Sequence, residues 1–168
     1  MCGRYSEHVK RMRGWAQVLA EWARQEGEIQ RRNIAPTQMA RVVRADGVKS
    51  VRWGLVPAWS KEATSKYATF NARLEDIASK PAFRSAWKAP RRCLLPTGGY
   101  YEWKEVAGKK QPYFISREDE GPVVLGGIWE EWAAKSTGES VLSCAVLTKP
   151  AGNRVGALHH RMPVILRP

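Results

Sequence analysis

The chain has 168 residues, of which 43% are hydrophobic, a size and composition typical of a single domain that buries its own core. Lys and Arg total 28 against 16 Asp and Glu, a formal net charge of +12, which favours a polyanionic partner such as nucleic acid. No apolar run approaches the ~20 residues of a membrane-spanning helix, and the N-terminus lacks the apolar segment of a signal peptide. We therefore expect a cytoplasmic protein without a membrane partner.

One amphipathic helix is predicted near the N-terminus. Apolar residues recur at three- and four-residue steps over 7–26, the spacing of one helical face. Ser6 precedes this segment as a predicted N-cap, and Gly27 follows it as a predicted C-cap. The basic residues of the helix are expected to form a solvated face.

The next part of the chain predicts a hairpin, a loop and a broken helix. Two strand-like runs, 40–45 and 48–53, flank Asp46-Gly47, a dipeptide that favours a tight hairpin turn. The segment 53–59 contains Gly and Pro and predicts a loop. Residues 74–88 predict helix in two pieces, interrupted at Pro81.

From Arg92 onward the chain is rich in predicted strands. β-Branched and aromatic runs alternate with turns made of Gly, Pro and charged residues. The runs are RRCLLP, GGYYEWK, PYFIS, VVLGGIWEEW and SVLSCAVLT, followed by a turn-rich segment and a last apolar run at 163–166. The pattern predicts an α+β fold: a single domain over 1–168 with a mainly antiparallel, barrel-like sheet and flanking helices.

The cysteines and histidines do not form a familiar metal or disulfide pattern. Three cysteines is an odd number, which argues against a disulfide framework. Cys93 and Cys144 lie in apolar runs and are predicted to be buried hydrophobic residues. His159 and His160 are adjacent and would face different directions on any regular element. We expect no metal and no cofactor, since zinc- and phosphate-binding motifs are also missing from the sequence.

Cys2 differs from the other cysteines because it lies next to the terminus. Methionine aminopeptidase removes Met1 readily before a small residue, which leaves an amine and a thiol on Cys2. An α-amine has a pKa near ~7.7–8.0, so part of it is nucleophilic at neutral pH. It can capture an aldehyde as a Schiff base, and the nearby thiol can then close a thiazolidine ring. From these residues alone, the alternative that Cys2 is an ordinary residue at a frayed end is favoured.

A series of sequence blocks runs in order through almost the entire chain. The blocks are MCGRY at the start, NIAP at 33–36, WGLVPAW at 53–59, NARLE at 71–75, the segment from PAF to TGGYYEW at 81–103, KQPY at 110–113 and HHRMPVIL at 159–166. In this order they resemble the SRAP family of SOS-response-associated, abasic-site-processing proteins. An ordered series that includes a Cys directly after Met1 is far more specific than any single block.

The resemblance implies roles for four catalytic residues. Cys2 would be the covalent nucleophile. Asn71 would hydrogen-bond around the Cys2 amine and the opened sugar. Glu102 would shuttle protons while the carbinolamine loses water and the sugar ring opens. His159 would assist proton transfer and reversal of the crosslink, whereas His160 occupies a position that the family does not require as His.

The resemblance also implies contacts with DNA. Three arginines that neighbour the predicted catalytic residues are expected to bind phosphates. They are Arg4, Arg73 and Arg161. Trp53 and Trp59 are expected to wedge or stack against bases beside the lesion, and Pro36 to line the same groove.

The function implied by the resemblance is covalent capture of abasic sites in single-stranded DNA through Cys2, as part of the SOS response and the protection of damaged DNA. Schiff-base chemistry at the same residue implies weak lyase activity, and the family is described as autoproteolytic, exposing Cys2. The non-enzymatic alternative is a single-stranded DNA-binding module in which Cys2 is incidental.

The partner expected from the resemblance is abasic single-stranded DNA, and the expected location is the cytoplasm, at the nucleoid. The sequence sets no oligomeric state, and a monomer is the default expectation. Family members commonly continue for several segments beyond HHRMPVIL, so a domain truncated at its C-terminus is expected.

Overall fold

The computed structural model describes residues 2–11, 14–24, 31–134 and 136–168. The strands are β1 (Arg4–Ser6), β2 (Met39–Arg44), β3 (Gly47–Trp53), β4 (Asn71–Arg73), β5 (Arg92–Thr97), β6 (Gly99–Val106), β7 (Lys109–Ile115), β8 (Val123–Ala133), β9 (Ser140–Pro150), β10 (Arg161–Pro163) and β11 (Ile165–Leu166). The helices are α1 (Ala20–Arg24), α2 (Arg84–Lys88) and α3 (Asn153–Gly156). Within the described ranges, no helix has the length and apolar character needed to cross a membrane.

Five strands close into a barrel in the order β9, β3, β2, β5 and β8, with β8 pairing back to β9. The pairings around this ring are antiparallel except between β3 and β9, where Trp53 lies opposite Cys144 in parallel register. Strands β4 and β10 add to β9, and β11 adds to β8. The predicted α+β fold with a mainly antiparallel, barrel-like sheet is confirmed.

A second sheet brings the N-terminus to the barrel. It has three antiparallel strands in the order β1, β6 and β7. Tyr5 of β1 lies opposite Tyr100 of β6, and both side chains are fully buried in one hydrophobic cluster with barrel residues such as Val51 and Leu125. Because Cys2 belongs to the same cluster, the start of the chain is part of the protein core.

The predicted hairpin is confirmed. Strands β2 and β3 pair in register from Met39 opposite Arg52 to Arg44 opposite Gly47. Gly47 has a φ of 102°, a left-handed conformation that glycine adopts without steric strain. Arg44 further fixes the turn through two hydrogen bonds to Asp46, of 2.9 and 2.8 Å.

The predicted N-terminal helix is wrong over most of its length. Only Ala20–Arg24 is α-helical, residues 7–11 follow β1 without regular structure, and 14–19 form turns. Glu7 explains the difference, because its amide donates to the carbonyl of Arg31 (2.9 Å) and its buried carboxylate is bound by Arg31 and Arg41. A helix starting at Ser6 would remove these partners. The predicted C-cap, Gly27, lies outside the described residues.

The predicted helix over 74–88 is also largely turn. Only Arg84–Lys88 is α-helical, and Leu74 continues the strand-like path by donating its amide to the carbonyl of Thr148 (2.9 Å). The expected burial of the two internal cysteines is confirmed, since both are free and buried. Burial raises the pKa of the Cys93 thiol to about 12, so it is a protonated core residue at neutral pH.

Candidate functional site

Cys2 is placed by the pairing of β1 with β6. Arg4 lies opposite Tyr101 in antiparallel register, so the chain before Arg4 runs towards Glu102. The Cys2 side chain is fully buried. Burial, with a further contribution from the Glu102 charge, raises the pKa of its thiol to about 12. The sulfur is therefore a thiol and not a reactive thiolate at neutral pH.

Asn71 holds the backbone of Cys2. Strand β4 runs parallel to β9, with Asn71 opposite Val146, and this pairing carries the amide into the protein interior. Asn71 Nδ2 donates a hydrogen bond of 2.9 Å to the carbonyl oxygen of Cys2. Its Oδ1 atom is also buried and accepts no hydrogen bond within the described residues. The same amide therefore fixes Cys2 and retains an acceptor for an amine beside it.

Glu102 and His159 line one open cavity of about 530 Å³. Glu102 projects from β6 and is only 2% exposed, yet it reaches this cavity together with Trp103 and Lys110. Its charge acts on both the Cys2 thiol and the His159 ring. Three of the four predicted catalytic side chains, Cys2, Glu102 and His159, are therefore close neighbours although they are far apart in sequence.

His159 lies in the turn between α3 and β10. Burial lowers its pKa, although the nearby Glu102 carboxylate opposes this effect, so the ring is neutral at pH 7. The amide of Arg161 donates a 2.9 Å hydrogen bond to His159 Nδ1. Because Nδ1 accepts, we assign the ring proton to Nε2. His159 is thus a neutral side chain with one N–H donor.

The three predicted phosphate-binding arginines have different surroundings. Arg73 is exposed at the end of β4, and Arg4 donates a hydrogen bond of 3.0 Å to the neutral Asn33 side chain. Arg161 is 7% exposed and donates hydrogen bonds of 2.5 and 2.9 Å to the two carboxylate oxygens of Glu75. These bonds lower the pKa of Glu75 to about 2. Among the described residues, Arg4 and Arg73 therefore form no ion pair within 4.0 Å, whereas Arg161 is already paired with a carboxylate.

The three residues expected to contact bases also differ in their exposure. Trp53 is fully buried and its indole N–H donates to the Phe70 carbonyl (2.9 Å), so its ring packs in the core and offers no face for stacking. Trp59 is 59% exposed, with its indole N–H bound to the Pro81 carbonyl (3.1 Å). Pro36 lines a neighbouring cavity of about 210 Å³. The expected base contact is therefore corrected at Trp53 and remains open at Trp59 and Pro36.

Residues 1–168 match the model of the family described as SOS response associated peptidase (SRAP). The chain belongs to the SRAP family. The resemblance seen in the sequence blocks is thus confirmed.

Several proteins are similar to this SRAP chain. It is 36% identical over 143 residues to the abasic site processing protein YMR114C of Saccharomyces cerevisiae, covering 81% of this chain and 37% of that protein. It is 34% identical over 139 residues to the abasic site processing protein YoaM of Bacillus subtilis, covering 80% and 60%. A crystal structure of a protein from Bacteroides thetaiotaomicron, 27% identical, superposes with a TM-score of 0.81 over 99% of this chain and 77% of that chain. The chain thus spans roughly two fifths to three fifths of the curated relatives named here.

Tyr100 is a site residue of this SRAP domain that the sequence analysis missed. Its hydroxyl is buried, with no hydrogen bond among the described residues. Burial raises the pKa of this phenol, and Cys2 and Glu102 contribute to the shift. Alternation along β6 was the available signal, because residues two apart on a strand face the same side. Tyr100 therefore lies on the Glu102 side of the sheet.

The described part of the SRAP chain contains no group of three or more His, Cys, Asp or Glu residues arranged to hold a metal ion. The polar groups that meet at the site are instead an amide, a carboxylate, an imidazole, a phenol and a thiol. These groups can bind a polar substrate and move protons.

Proposed function

We propose that this SRAP domain recognises abasic sites in single-stranded DNA and bonds to them covalently through Cys2 after Met1 is removed. The observation that carries the proposal is the hydrogen bond from Asn71 to the Cys2 backbone, beside a cavity lined by Glu102 and His159. Two further observations support it: similar proteins are named abasic site processing proteins, and the net charge of +12 suits a polyanionic partner.

The proposed reaction starts at the amine, because the Cys2 thiol, with a pKa raised to about 12, is protonated. The amine adds to the aldehyde carbon of the ring-opened sugar and gives a carbinolamine. Glu102 transfers a proton to the departing hydroxyl, which leaves as water, and an imine forms. The Cys2 sulfur then adds to the imine carbon, while the thiol proton passes to the nitrogen. The product is a thiazolidine, with one new C–S bond and one new C–N bond.

Asn71 and His159 are proposed to position this reaction. The unused Oδ1 of Asn71 accepts a hydrogen bond from the amine N–H and directs the nitrogen lone pair towards the aldehyde. The Nε2–H of His159 donates to an oxygen of the opened sugar, which stabilises the alkoxide that develops during addition. The hydrogen bonds that each side chain already makes support both proposed roles.

Two further activities follow from the same residue. Before the thiol adds, the imine can lose the 3′ phosphate by β-elimination, so we propose weak strand incision as a competing outcome. Autoproteolysis at the Met1–Cys2 bond would need the Cys2 sulfur as nucleophile, and its raised pKa disfavours this. We therefore assign removal of Met1 to an aminopeptidase. The location at the nucleoid and a role in the SOS response remain proposals of the same kind.

A denaturing gel tests the proposed function. Wild-type protein is mixed with a single strand that carries one abasic site, and with an intact strand of the same sequence. We expect a denaturation-resistant band with the abasic strand alone, and a mass for the adduct equal to protein without Met1 plus DNA minus one water. A purely non-covalent module would give only salt-sensitive shifts in native gels, equal for both strands. That result would overturn the proposal.

Glu102→Gln should slow the crosslinking of saturating abasic DNA by about 10²-fold, the lower end of what a general acid–base group contributes. Affinity for the intact strand should not fall, because the buried Glu102 is proposed to transfer protons during the reaction and not to bind the DNA backbone. Glu139→Gln is the matched control, since it removes the same charge from an exposed residue that does not line this cavity and should change the rate by less than about twofold. Rates are read from quenched time points. Equal effects of the two substitutions would remove Glu102 from the mechanism.

A further inference from the structure

The outward face of the small sheet carries an exposed aromatic pair. Tyr101 of β6 lies opposite Phe114 of β7, and their rings are 4.8 Å apart at an angle of 47°. Phe114 is 48% exposed. A Cβ on Gly99 would lie only 2.6 Å from the Phe114 ring, so glycine at this position lets the ring lie across the strand. The Phe114 ring thus lies over Gly99 with about half of its surface in water.

Two arginines flank the aromatic pair. Arg4 lies opposite Tyr101 on β1, and its guanidinium donates to the neutral Asn33. The Tyr101 hydroxyl donates a 3.2 Å hydrogen bond to the carbonyl of Arg32, which places the backbone of this exposed residue at the rim of the pair. Among the described residues, Arg32 forms no ion pair within 4.0 Å. We name Arg4, Arg32, Tyr101 and Phe114 the aromatic–basic face.

A cavity of about 390 Å³ opens on this face. Its lining includes both rings and four basic residues, His8, Lys10, Arg32 and Arg117, against the single carboxylate of Glu120. Lys10 pairs with Glu120 and Arg117 with Asp119. Among the Lys and Arg residues of the lining, Arg32 therefore remains without an ion pair within 4.0 Å in the described part of the chain, and Arg4 lies outside the lining. The volume lies within the ~300–1,000 Å³ typical of small-ligand pockets, which is enough for a nucleobase.

The aromatic–basic face is connected to the candidate site. Tyr101 is followed along β6 by Glu102 and Trp103, which line the cavity shared with His159. Tyr101 and Trp103 are two residues apart on one strand, and therefore on the same side and roughly 7 Å from each other. Trp103, which lines the Glu102 cavity and lies on the Tyr101 side of β6, therefore connects the cavity with the aromatic pair.

We propose that the aromatic–basic face binds unpaired nucleotides next to the lesion, with a base stacked on Phe114 and Tyr101 and a phosphate bound by Arg32. The inference rests on the proposed function, because it extends the path of the strand held at Cys2. Its physical basis is the combination of exposed aromatic rings with uncompensated cations, which is how sequence-tolerant single-strand binding surfaces are built. Flanking bases then contribute affinity without taking part in the chemistry.

Phe114→Ala tests the stacking. We expect the DNA concentration for half-maximal crosslinking to rise about tenfold, from the loss of one stacked base, while the rate at saturation is unchanged. Phe114→Leu should lose affinity as Phe114→Ala does, because leucine still covers Gly99 but has no flat ring on which a base can stack. Phe114→Tyr keeps the ring and should behave like wild type. Val106→Ala is the control, as another exposed apolar residue on the same hairpin. If Phe114→Leu retains full affinity, stacking is refuted.

Strand length and salt provide independent readouts. The DNA is shortened to one nucleotide beyond the lesion, first on the 5′ side and then on the 3′ side. The difference in affinity between wild type and Phe114→Ala should disappear when the side that stacks on Phe114 is shortened, and should persist when the other side is. Arg32→Gln should reduce the slope of log affinity against log salt by about 0.7, the value for one phosphate contact on a single strand. Unchanged slope and no dependence on flank length would overturn the inference. Anisotropy with intact strands measures both effects without crosslinking, so failure of the covalent chemistry is recognised separately.

Discussion

Replacing Cys2 by Ala should abolish the stable adduct with abasic DNA. The variant keeps an N-terminal amine after Met1 removal, so an imine still forms, but without sulfur it hydrolyses back to amine and aldehyde. Ring closure by a thiol on the carbon next to the one that bears the amine benefits from effective molarities of ~10⁵ M or more, and we expect the fraction of denaturation-resistant product to fall at least about a hundredfold. The measurement is a quenched denaturing gel with and without borohydride, which reduces imines to stable amines.

The borohydride lanes separate the roles of the amine and the thiol. Cys2→Ala should be trapped by borohydride at a level similar to wild type, because the amine is retained. A leucine inserted between Met1 and Cys2 keeps the thiol but moves the amine, and should give no adduct in either lane. Persistent adduct from the insertion variant would mean that the thiol alone reacts, and the order of steps proposed above would be wrong.

The sequence predicted the barrel better than the N-terminal segment, for physical reasons. Asp46-Gly47 specifies a local turn with a positive φ, so the β2–β3 hairpin can be read from neighbouring residues. The segment after Ser6 has the apolar spacing of a helix, but its structure is decided by the burial of Glu7 against Arg41, 34 residues away. Local periodicity contains no information about such a distant ion pair.

The site shows the same limit. Family blocks predicted Cys2, Asn71 and Glu102 as catalytic residues, but no spacing rule predicts that the Asn71 amide binds the Cys2 carbonyl 69 residues away. That contact depends on the parallel pairing of β4 with β9, a long-range feature. The prediction for Trp53 was wrong. Its Gly- and Pro-containing surroundings predicted a loop with the ring available to bases, whereas the residue ends a barrel strand and its ring packs edge-on against Tyr5.

Replacing Glu7 should have the largest effect on stability. Its carboxylate is fully buried and is bound by Arg31 Nη2 (3.2 Å), Arg41 Nε (3.3 Å) and the amide of Arg41 (3.0 Å). Removing one partner from a buried ion pair leaves an uncompensated charge and typically costs ~3–5 kcal/mol. We expect Glu7→Ala to lower the free energy of unfolding by about that amount, measured by urea denaturation. The control is Glu118→Gln at an exposed position, which should lower the free energy of unfolding by less than about 0.5 kcal/mol.

The same network links stability to the candidate site. Glu7 ties the end of β1 to β2 through Arg41, while Asn71 holds Cys2 before β1 begins. The first strand is thus fixed at both ends, and Cys2 is positioned by the fold as a whole. At temperatures where Glu7→Ala remains folded, it should therefore crosslink abasic DNA more slowly than wild type but faster than Glu102→Gln. Faster reaction than wild type would mean that the network restrains Cys2 and does not align it.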